Sequence, residues 1–341
     1  MLLLRRLCSD DKFYRRRRLD LQGSGARKMS AGNVSQESRA MRFSGHETFA
    51  CRFAWLPKAY SLLVKDPRAL SSDEPAMVEL GLGKNMVHSL RFWVEAMGLG
   101  TPGGPNGISL TRFGHEVFSP SGHDPYIENR MTLWILHWNL SAKKEGPLFA
   151  WHYLLYRWPH PEMTRSEVIA AFLRESRRLG HSHSEVTLTQ HLDVFLHTYL
   201  PSRSSVSIED TLDGPLVELS FLEIVGERRA IDGRRESIYA FRRETKPDIT
   251  PWLFAFCIDS YWRTYRPNEA TLTLREISVG ESSPGQVLKL TEDDIRARLE
   301  EFDNQGIPFE YRSSAVQGLL TRQSSTDFDF LAAAYRGGHV G

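Results

Sequence analysis

Leu80-Gly81-Leu82-Gly83-Lys84-Asn85-Met86-Val87-His88-Ser89-Leu90-Arg91-Phe92-Trp93-Val94-Glu95-Ala96-Met97 is the stretch on which the fold reading turns. Its glycines break one helix and admit a tight turn, the connection that a helix-turn-helix requires. From Lys84 the apolar residues Val87, Leu90, Val94 and Met97 recur at three and four residues, which predicts a helix over 84–97 with one buried seam. At about 100° per residue, Lys84, His88 and Arg91 fall within roughly 60° of one another on a different face. That face has the cationic and hydrogen-bonding character of a recognition helix, although a solvated surface would look the same.

The neighbouring segments suit this reading. Pro57 fits the first turn of a helix running towards Val64. Ser72 and Asp73 offer an N-cap ahead of Glu74-Pro75 and a second helix through Leu80. Downstream, the Gly- and Pro-rich residues 98–107 lead into Ile108-Ser109-Leu110-Thr111-Arg112-Phe113-Gly114, read as a strand ending in glycine. Three helices, a glycine-rich hairpin and a strand make a winged helix.

Further along, Asp124-Pro125 is expected to cap a helix reaching Leu140, and Leu148–Trp158 to form an aromatic helix. Trp134, Trp138, Trp151 and Trp158 read as core rather than as a base-stacking platform. Capping boxes at Thr164-Arg165-Ser166-Glu167 and Thr187-Leu188-Thr189-Gln190 start two more helices. Leu216–Arg243, with Asp232-Gly233 at its turn, reads as strand and hairpin. Residues 164–243 are therefore expected to be a second winged-helix-like unit with a less basic outer face. The fold class is mainly α with small β-hairpins (α+β), as tandem winged helix-turn-helix units around an intervening helical layer. The expected divisions are a disordered basic tail over 1–41, a DNA-binding unit over 42–120, the helical layer and second unit over 121–245, and a C-terminal α+β region over 246–341 without an assigned site.

Composition narrows the function classes. With 341 residues and 41% hydrophobic content the chain can bury a large core. Met1-Leu2-Leu3-Leu4 is followed at once by Arg5 and Arg6, too short for a signal or membrane segment, so no membrane association and a cytoplasmic location are expected. Cys8, Cys51 and Cys257 are too few and too scattered for a disulfide framework or a CxxC zinc site. The net charge of +1 hides an asymmetry: residues 1–42 hold eleven Lys/Arg against four Asp/Glu, a balance of +7 that leaves −6 for the rest. Affinity for nucleic acid must then come from a local cationic face or from the tail, where Arg15–Arg18 could act as a phosphate-binding arm. Met29 and Met41 are alternative starts.

Two motifs carry a family resemblance: Arg42-Phe43-Ser44-Gly45-His46-Glu47-Thr48-Phe49, and Leu80–Val87 followed by Arg91-Phe92-Trp93. Weaker matches run through Phe195-Leu196-His197-Thr198-Tyr199 and Ser283-Pro284-Gly285-Gln286-Val287, so the likeness covers roughly residues 42–320. Here the chain resembles a bacterial domain-of-unknown-function family whose best-described members are the SspB proteins of the single-stranded DNA phosphorothioation (Ssp) system. The resemblance implies a DNA-nicking endonuclease serving phosphorothioation and phage defence. It implies as partners an ATPase, an ATP-pyrophosphatase-like sulfur-transfer enzyme and a cysteine desulfurase. The alternative is a noncatalytic winged-helix DNA-binding adaptor or transcriptional regulator.

On the winged-helix reading, double-stranded DNA would meet Lys84 and Asn85 first, Asn85 being suited to adenine, with His88 on the same face and Arg91 and Arg112 nearer the backbone. A homodimer is one expected assembly. His46 and Glu47 are the catalytic candidates, since an imidazole beside a carboxylate suits acid–base work at a phosphate. The competing reading anchors Phe43 and Phe49 in the core and leaves His46 and Glu47 to cap a helix. A nuclease would need Mg²⁺ or Mn²⁺, and the metal ligands are not identifiable. Asp124 with Glu128, or Glu209-Asp210 with Asp213, could supply oxygen ligands, yet each also suits a cap or solvated turn. His181-Ser182-His183 with His191 is a weaker metal pattern. Gly81-Leu82-Gly83-Lys84 lacks the spacing of a phosphate loop.

Overall fold

Local capping chemistry and glycine punctuation lay out the chain in the computed structural model, which describes residues 41–201, 214–230, 233–314, 317–323 and 328–337. The basic tail and Glu209, Asp210 and Asp213 lie outside the described residues. Helix α1 (Trp55–Lys65) buries Trp55, Leu56, Ala59, Tyr60 and Leu63 along one stripe. Helix α2 (Asp73–Leu80) follows Ser72 and stops at Gly81, whose φ of 65° is left-handed and favours glycine. Helix α3 (Lys84–Ala96) then buries Val87, Leu90, Phe92, Trp93, Val94 and Ala96. Strands β1 (Gly100–Pro102) and β2 (Ile108–Leu110) pair antiparallel behind it.

A backbone bond from Ile108 N–H to the Pro67 carbonyl, 2.9 Å, ties this hairpin to the segment between α1 and α2. Gly107 makes that approach feasible: its φ is +84° and any Cβ would collide with the Pro67 carbonyl oxygen. Gly107→Ala is therefore expected to lower stability by about 2 kcal/mol or more, read as a lower denaturation midpoint.

The strand expected over 108–114 ends at Leu110. Thr111 turns the chain, its hydroxyl accepting from Gly114 N–H at 2.9 Å, and caps helix α4 (Arg112–Phe118). Gly114 is needed not as a strand terminator but because the Leu99 carbonyl passes directly over it. Helix α5 (Arg130–Ser141) starts later than Asp124-Pro125 suggested, with Asn129 as its cap. The residues between form a loop organised by the buried Asp124 carboxylate, which accepts from Glu128 N–H, Asn129 N–H and the Thr132 hydroxyl at 2.8, 3.0 and 2.5 Å. Buried almost all round, α5 is the central post of the molecule.

Helix α6 (Phe149–His152) continues as a π-helical turn over Tyr153–Arg157. Next come β3 (Glu162–Thr164) and α7 (Arg165–Arg178), opened by the expected Thr164/Glu167 capping box. Helix α8 (Glu185–Tyr199) begins earlier than the Thr187 motif predicted, because the Ser184 hydroxyl accepts from Thr187 N–H at 3.1 Å. Strands β4 (Leu222–Arg229) and β5 (Arg235–Phe241) form the expected hairpin, and β3 joins it in the antiparallel order β3-β5-β4.

The last third repeats that plan. Helix α9 (Pro251–Tyr265) leads to β6 (Thr271–Thr273), α10 (Leu274–Val279), α11 (Pro284–Leu288) and α12 (Glu292–Glu300). Then β7 (Phe309–Ser313) and β8 (Gly318–Arg322) complete a sheet ordered β6-β8-β7, and α13 (Phe330–Gly337) packs on α9. Helix, short strand, helices, hairpin, with the first strand pairing the third, thus occurs twice in full. The first copy has Pro67 in place of its leading strand. The protein is α+β, with thirteen helices and small antiparallel sheets among the described residues. One hydrophobic core runs through all three copies, with Trp93, Trp134, Trp138, Trp151 and Trp262 fully buried, as expected for three of the four core tryptophans; Trp158 is partly buried. No described helix is long and apolar enough to cross a membrane.

Candidate nucleic-acid interface

After its first turn α3 is sealed by neighbours, so its accessible part is its N-terminus. Gly83 caps that end, Lys84 and Asn85 are exposed, and Met86 is half-buried. Beside this unit's sheet, the loop from Gly104 to Asn106 is also exposed. The cationic face does form, but it is tied down. Arg91 donates to the Asp73 carboxylate at 2.8 Å, His88 Nε2 donates to the same oxygen at 3.0 Å, and Lys84 Nζ stands 3.5 Å from the other.

Asp73, legible in the sequence only as part of a helix start, is the hub that locks α2 to α3. Its carboxyl is held below the usual carboxylate range, first by the hydrogen bond from His88 and then by Arg91. Arg91, with a side chain 24% exposed, is committed to this clamp, whereas Lys84, at 63%, keeps its ammonium largely in water. Arg91 is accordingly an interhelix tie, and Lys84 with Asn85 remains the surface available to a ligand.

Arg112 does not sit at the base of a strand. It lies on the first turn of α4, where it bonds Glu116 at 2.5 Å and Asp329 at 2.8 Å, fastening the first copy to the C-terminal segment.

The segment expected to carry catalysis is built into the core. Arg42 pairs with the chain before α6, accepting from Phe149 N–H at 3.0 Å, and Phe43 stacks on Phe149 with centroids 4.4 Å apart. Arg42 also lies over the Phe92 ring at 4.7 Å, and Trp93 Nε1 donates to the Phe49 carbonyl at 3.0 Å. The two sequence motifs are thus halves of one packed unit.

Glu47 and Thr48 have φ of 47° and 67°, and this left-handed turn sends His46 inward and Glu47 to solvent. His46 is therefore buried while its neighbour Glu47 lies at the surface. His46 Nε2 meets His191 Nδ1 at 2.8 Å, and His191 Nε2 accepts from Ala150 N–H at 3.0 Å. Thr48 N–H likewise faces His46 Nδ1 at 3.3 Å, so the outer nitrogen of each ring meets a backbone donor and has no acceptor for a proton. Burial, reinforced by Arg42, lowers the His46 pKa to about 4, and burial pushes His191 well below its usual range.

The described residues contain no group of three or more His, Cys, Asp or Glu placed to hold a metal. Both Asp124 oxygens accept protein hydrogen bonds, which is the helix-entry role that competed with Mg²⁺ binding for this residue. His183 stacks on Phe43 at 3.9 Å and its Nδ1 bonds the Ser176 hydroxyl at 3.1 Å, so His181, His183 and His191 surround an aromatic ring rather than an ion.

The second copy concentrates exposed arginines at its hairpin. Its β4–β5 hairpin exposes Arg228, Arg229, Arg234 and Arg235. The signal in the sequence is two Arg-Arg pairs flanking the Asp232-Gly233 turn, a position that lies partly outside the described residues.

The chain belongs to the family described as protein of unknown function DUF4007, whose model matches residues 43–335. Among solved structures it is similar to a magnesium-ion-bound SspB crystal structure, with 27% identity and a TM-score of 0.73 over 86% of this chain and 85% of that one. A second SspB crystal structure gives 26% identity and a TM-score of 0.72 over 88% of each chain. No curated protein matches the chain.

Proposed function

We propose that this chain is the DNA-engaging, SspB-like component of a phosphorothioation system, and that its repeated copies are winged helix-turn-helix units. The observation that carries this reading is the exposed first turn of α3: Lys84 and Asn85 project from a helix otherwise buried, following a Gly81-Leu82-Gly83 turn and preceding a hairpin. Such an N-terminus can enter the major groove of double-stranded DNA while the preceding helix lies across the backbone. The Asp73 clamp fixes the angle between the two helices, so that Lys84 and Asn85 are presented without further ordering. The unit boundaries follow the copies, with the first ending near Phe118 and the third opening at Pro251.

Binding to a labelled duplex over a salt series tests this. Lys84→Ala is expected to reduce the slope of log affinity against log salt by about 1 without lowering the melting temperature. Asn85→Ala should relax base preference at one position, with discrimination changing by about 1–3 kcal/mol. Arg91→Ala should instead lower the melting temperature, because it opens the clamp. Equal affinity and salt slope for wild type and Lys84→Ala would remove α3 from the interface.

The SspB likeness also supports strand nicking, with the protein positioning a duplex for sulfur-inserting partners: the ATPase, the ATP-pyrophosphatase-like enzyme and the cysteine desulfurase. Conversion of supercoiled plasmid to open circles with Mg²⁺ or Mn²⁺, alone and with those partners, is the expected result. Persistence of supercoiled plasmid under every condition would confine the role to DNA positioning.

A further inference from the structure

The β4–β5 hairpin has an energetic oddity that folding alone does not explain. Its register places Arg229 directly opposite Arg235 and Arg228 opposite Glu236. Like charges facing each other across an antiparallel pair destabilise it. Nearby acids only partly relieve the repulsion: Arg228 pairs with Glu167 on α7, Arg235 stands 3.8 Å from Glu227, and Glu236 is occupied by Ser166. Arg229 makes no ion pair among the described residues. Arg229 thus stands exposed beside the exposed Arg228, Arg234 and Arg235, a local run of cations interleaved with Glu227 and Glu236 on a chain that carries −6 outside its first 42 residues.

The three copies divide their charge differently. In the first, the helix N-terminus carries Lys84 and the hairpin loop Gly103–Gly107 carries no charge. In the second, α8 exposes Glu185, Val186 and Gln190, and the cations sit on the hairpin. In the third, α12 opens with Glu292, Asp293 and Asp294, and Arg312 on the hairpin is paired with Glu310 at 2.7 Å. Exposed cations therefore stand at the helix N-terminus in the first copy and at the hairpin in the second, whereas the corresponding helix of the third opens with acids.

We infer that the β4–β5 hairpin is a second, sequence-independent contact with duplex DNA, its Arg229 and Arg235 neutralising backbone phosphates while α3 of the first copy reads the groove. The inference rests on the DNA-binding reading above and extends it to a surface that reading does not need. Bound phosphates relieve the repulsion between the facing arginines, so the hairpin gains from the ligand what it lacks alone. Guanidinium suits phosphate through paired N–H donors.

The test uses the full chain, a labelled duplex and a sodium chloride series, with Arg229→Gln/Arg235→Gln, Arg229→Lys/Arg235→Lys and Lys84→Ala beside wild type. The glutamine pair is expected to weaken binding about tenfold or more and to lower the salt slope by about 2, roughly one for each phosphate that is no longer neutralised. The lysine pair keeps the slope, because the charge is kept. Removing a repulsive pair should leave the melting temperature equal or higher. If wild type fails to bind duplex DNA, the functional reading falls and this inference with it. If wild type binds and Lys84→Ala shows its expected smaller slope, while the glutamine pair keeps wild-type affinity and slope, this inference alone is overturned. A lowered melting temperature in the glutamine pair, or tighter binding to single-stranded RNA than to duplex DNA, also overturns it.

Discussion

Acidification from pH 6.5 to pH 4 is expected to cost the folded state on the order of 3 kcal/mol for each of His46 and His137, whose pKa values are both lowered from 6.5 to about 4. The cause in both is burial. His137 has a neutral tautomer fixed by its partners: Nδ1 is 2.8 Å from the Tyr199 hydroxyl, which donates to it, and Nε2 donates to the Val287 carbonyl at 2.9 Å. His46 and His191 face each other at 2.8 Å and each turns its other nitrogen towards a backbone N–H, so an added proton on either ring has no acceptor. The sign follows from the direction of the shifts. The unfolded chain takes up protons near pH 6.5 while the folded chain refuses them, so stability is fully present above 6.5 and is lost as pH falls towards 4, with His191 acting in the same sense. Lys246 and Lys289 extend the trend upward, since burial lowers their pKa values from 10.5 to about 8 and about 7, and stability should keep rising through that range. Denaturant unfolding at pH 5, 7 and 9 would show midpoints climbing in that order. Equal midpoints at pH 5 and 7 would mean that the buried imidazoles accept protons without penalty.

What could be read in advance was what one element decides by itself. The apolar seam of α3, the left-handed stop at Gly81 and the Thr164/Glu167 capping box depend on neighbours within a few residues, and each is where the sequence placed it. The tie of Arg112 to Asp329 spans 217 residues and that of His46 to His191 spans 145, and no local pattern signals either. Asp73 illustrates the limit most sharply. Its place at a helix start was legible, but its use as the counter-charge for Lys84, His88 and Arg91 depends on how α2 crosses α3. That changes the site, because a cationic stripe read as wholly open is half spent on holding two helices together. The third copy is illegible for a different reason: its leading strand has three residues, and α10, α11 and α12 have six, five and nine, too short for helical periodicity to accumulate. The twin arginine pairs of the second hairpin were visible, yet their weight depends on the register that sets Arg229 against Arg235.

Asp124→Ala is expected to destabilise the protein by about 4 kcal/mol, because it strands several donors at once in a buried loop. Asp124 is 5% exposed and accepts from two backbone N–H groups and the Thr132 hydroxyl. Thr132 in turn bonds the Tyr335 hydroxyl at 2.7 Å, and Tyr335 stacks on His123 with centroids 4.4 Å apart. One carboxylate therefore sets the entry to the central helix α5 and links it to α13 at the far end of the chain. Asp124→Asn should cost less, since an amide keeps one acceptor oxygen but turns an N–H₂ towards a donor. Glu128→Ala separates this structural role from a metal site. Glu128 is exposed and meets Asp124 only through its backbone N–H, so its side chain can be removed with little change in the unfolding midpoint. A metal-bridged pair would make Asp124→Ala and Glu128→Ala behave alike and would let added Mg²⁺ raise the wild-type midpoint. Similar losses for the two variants would return Asp124 to the candidate ion ligands, whereas a large loss for Asp124 alone fixes it as the carboxylate on which the loop before α5 is folded.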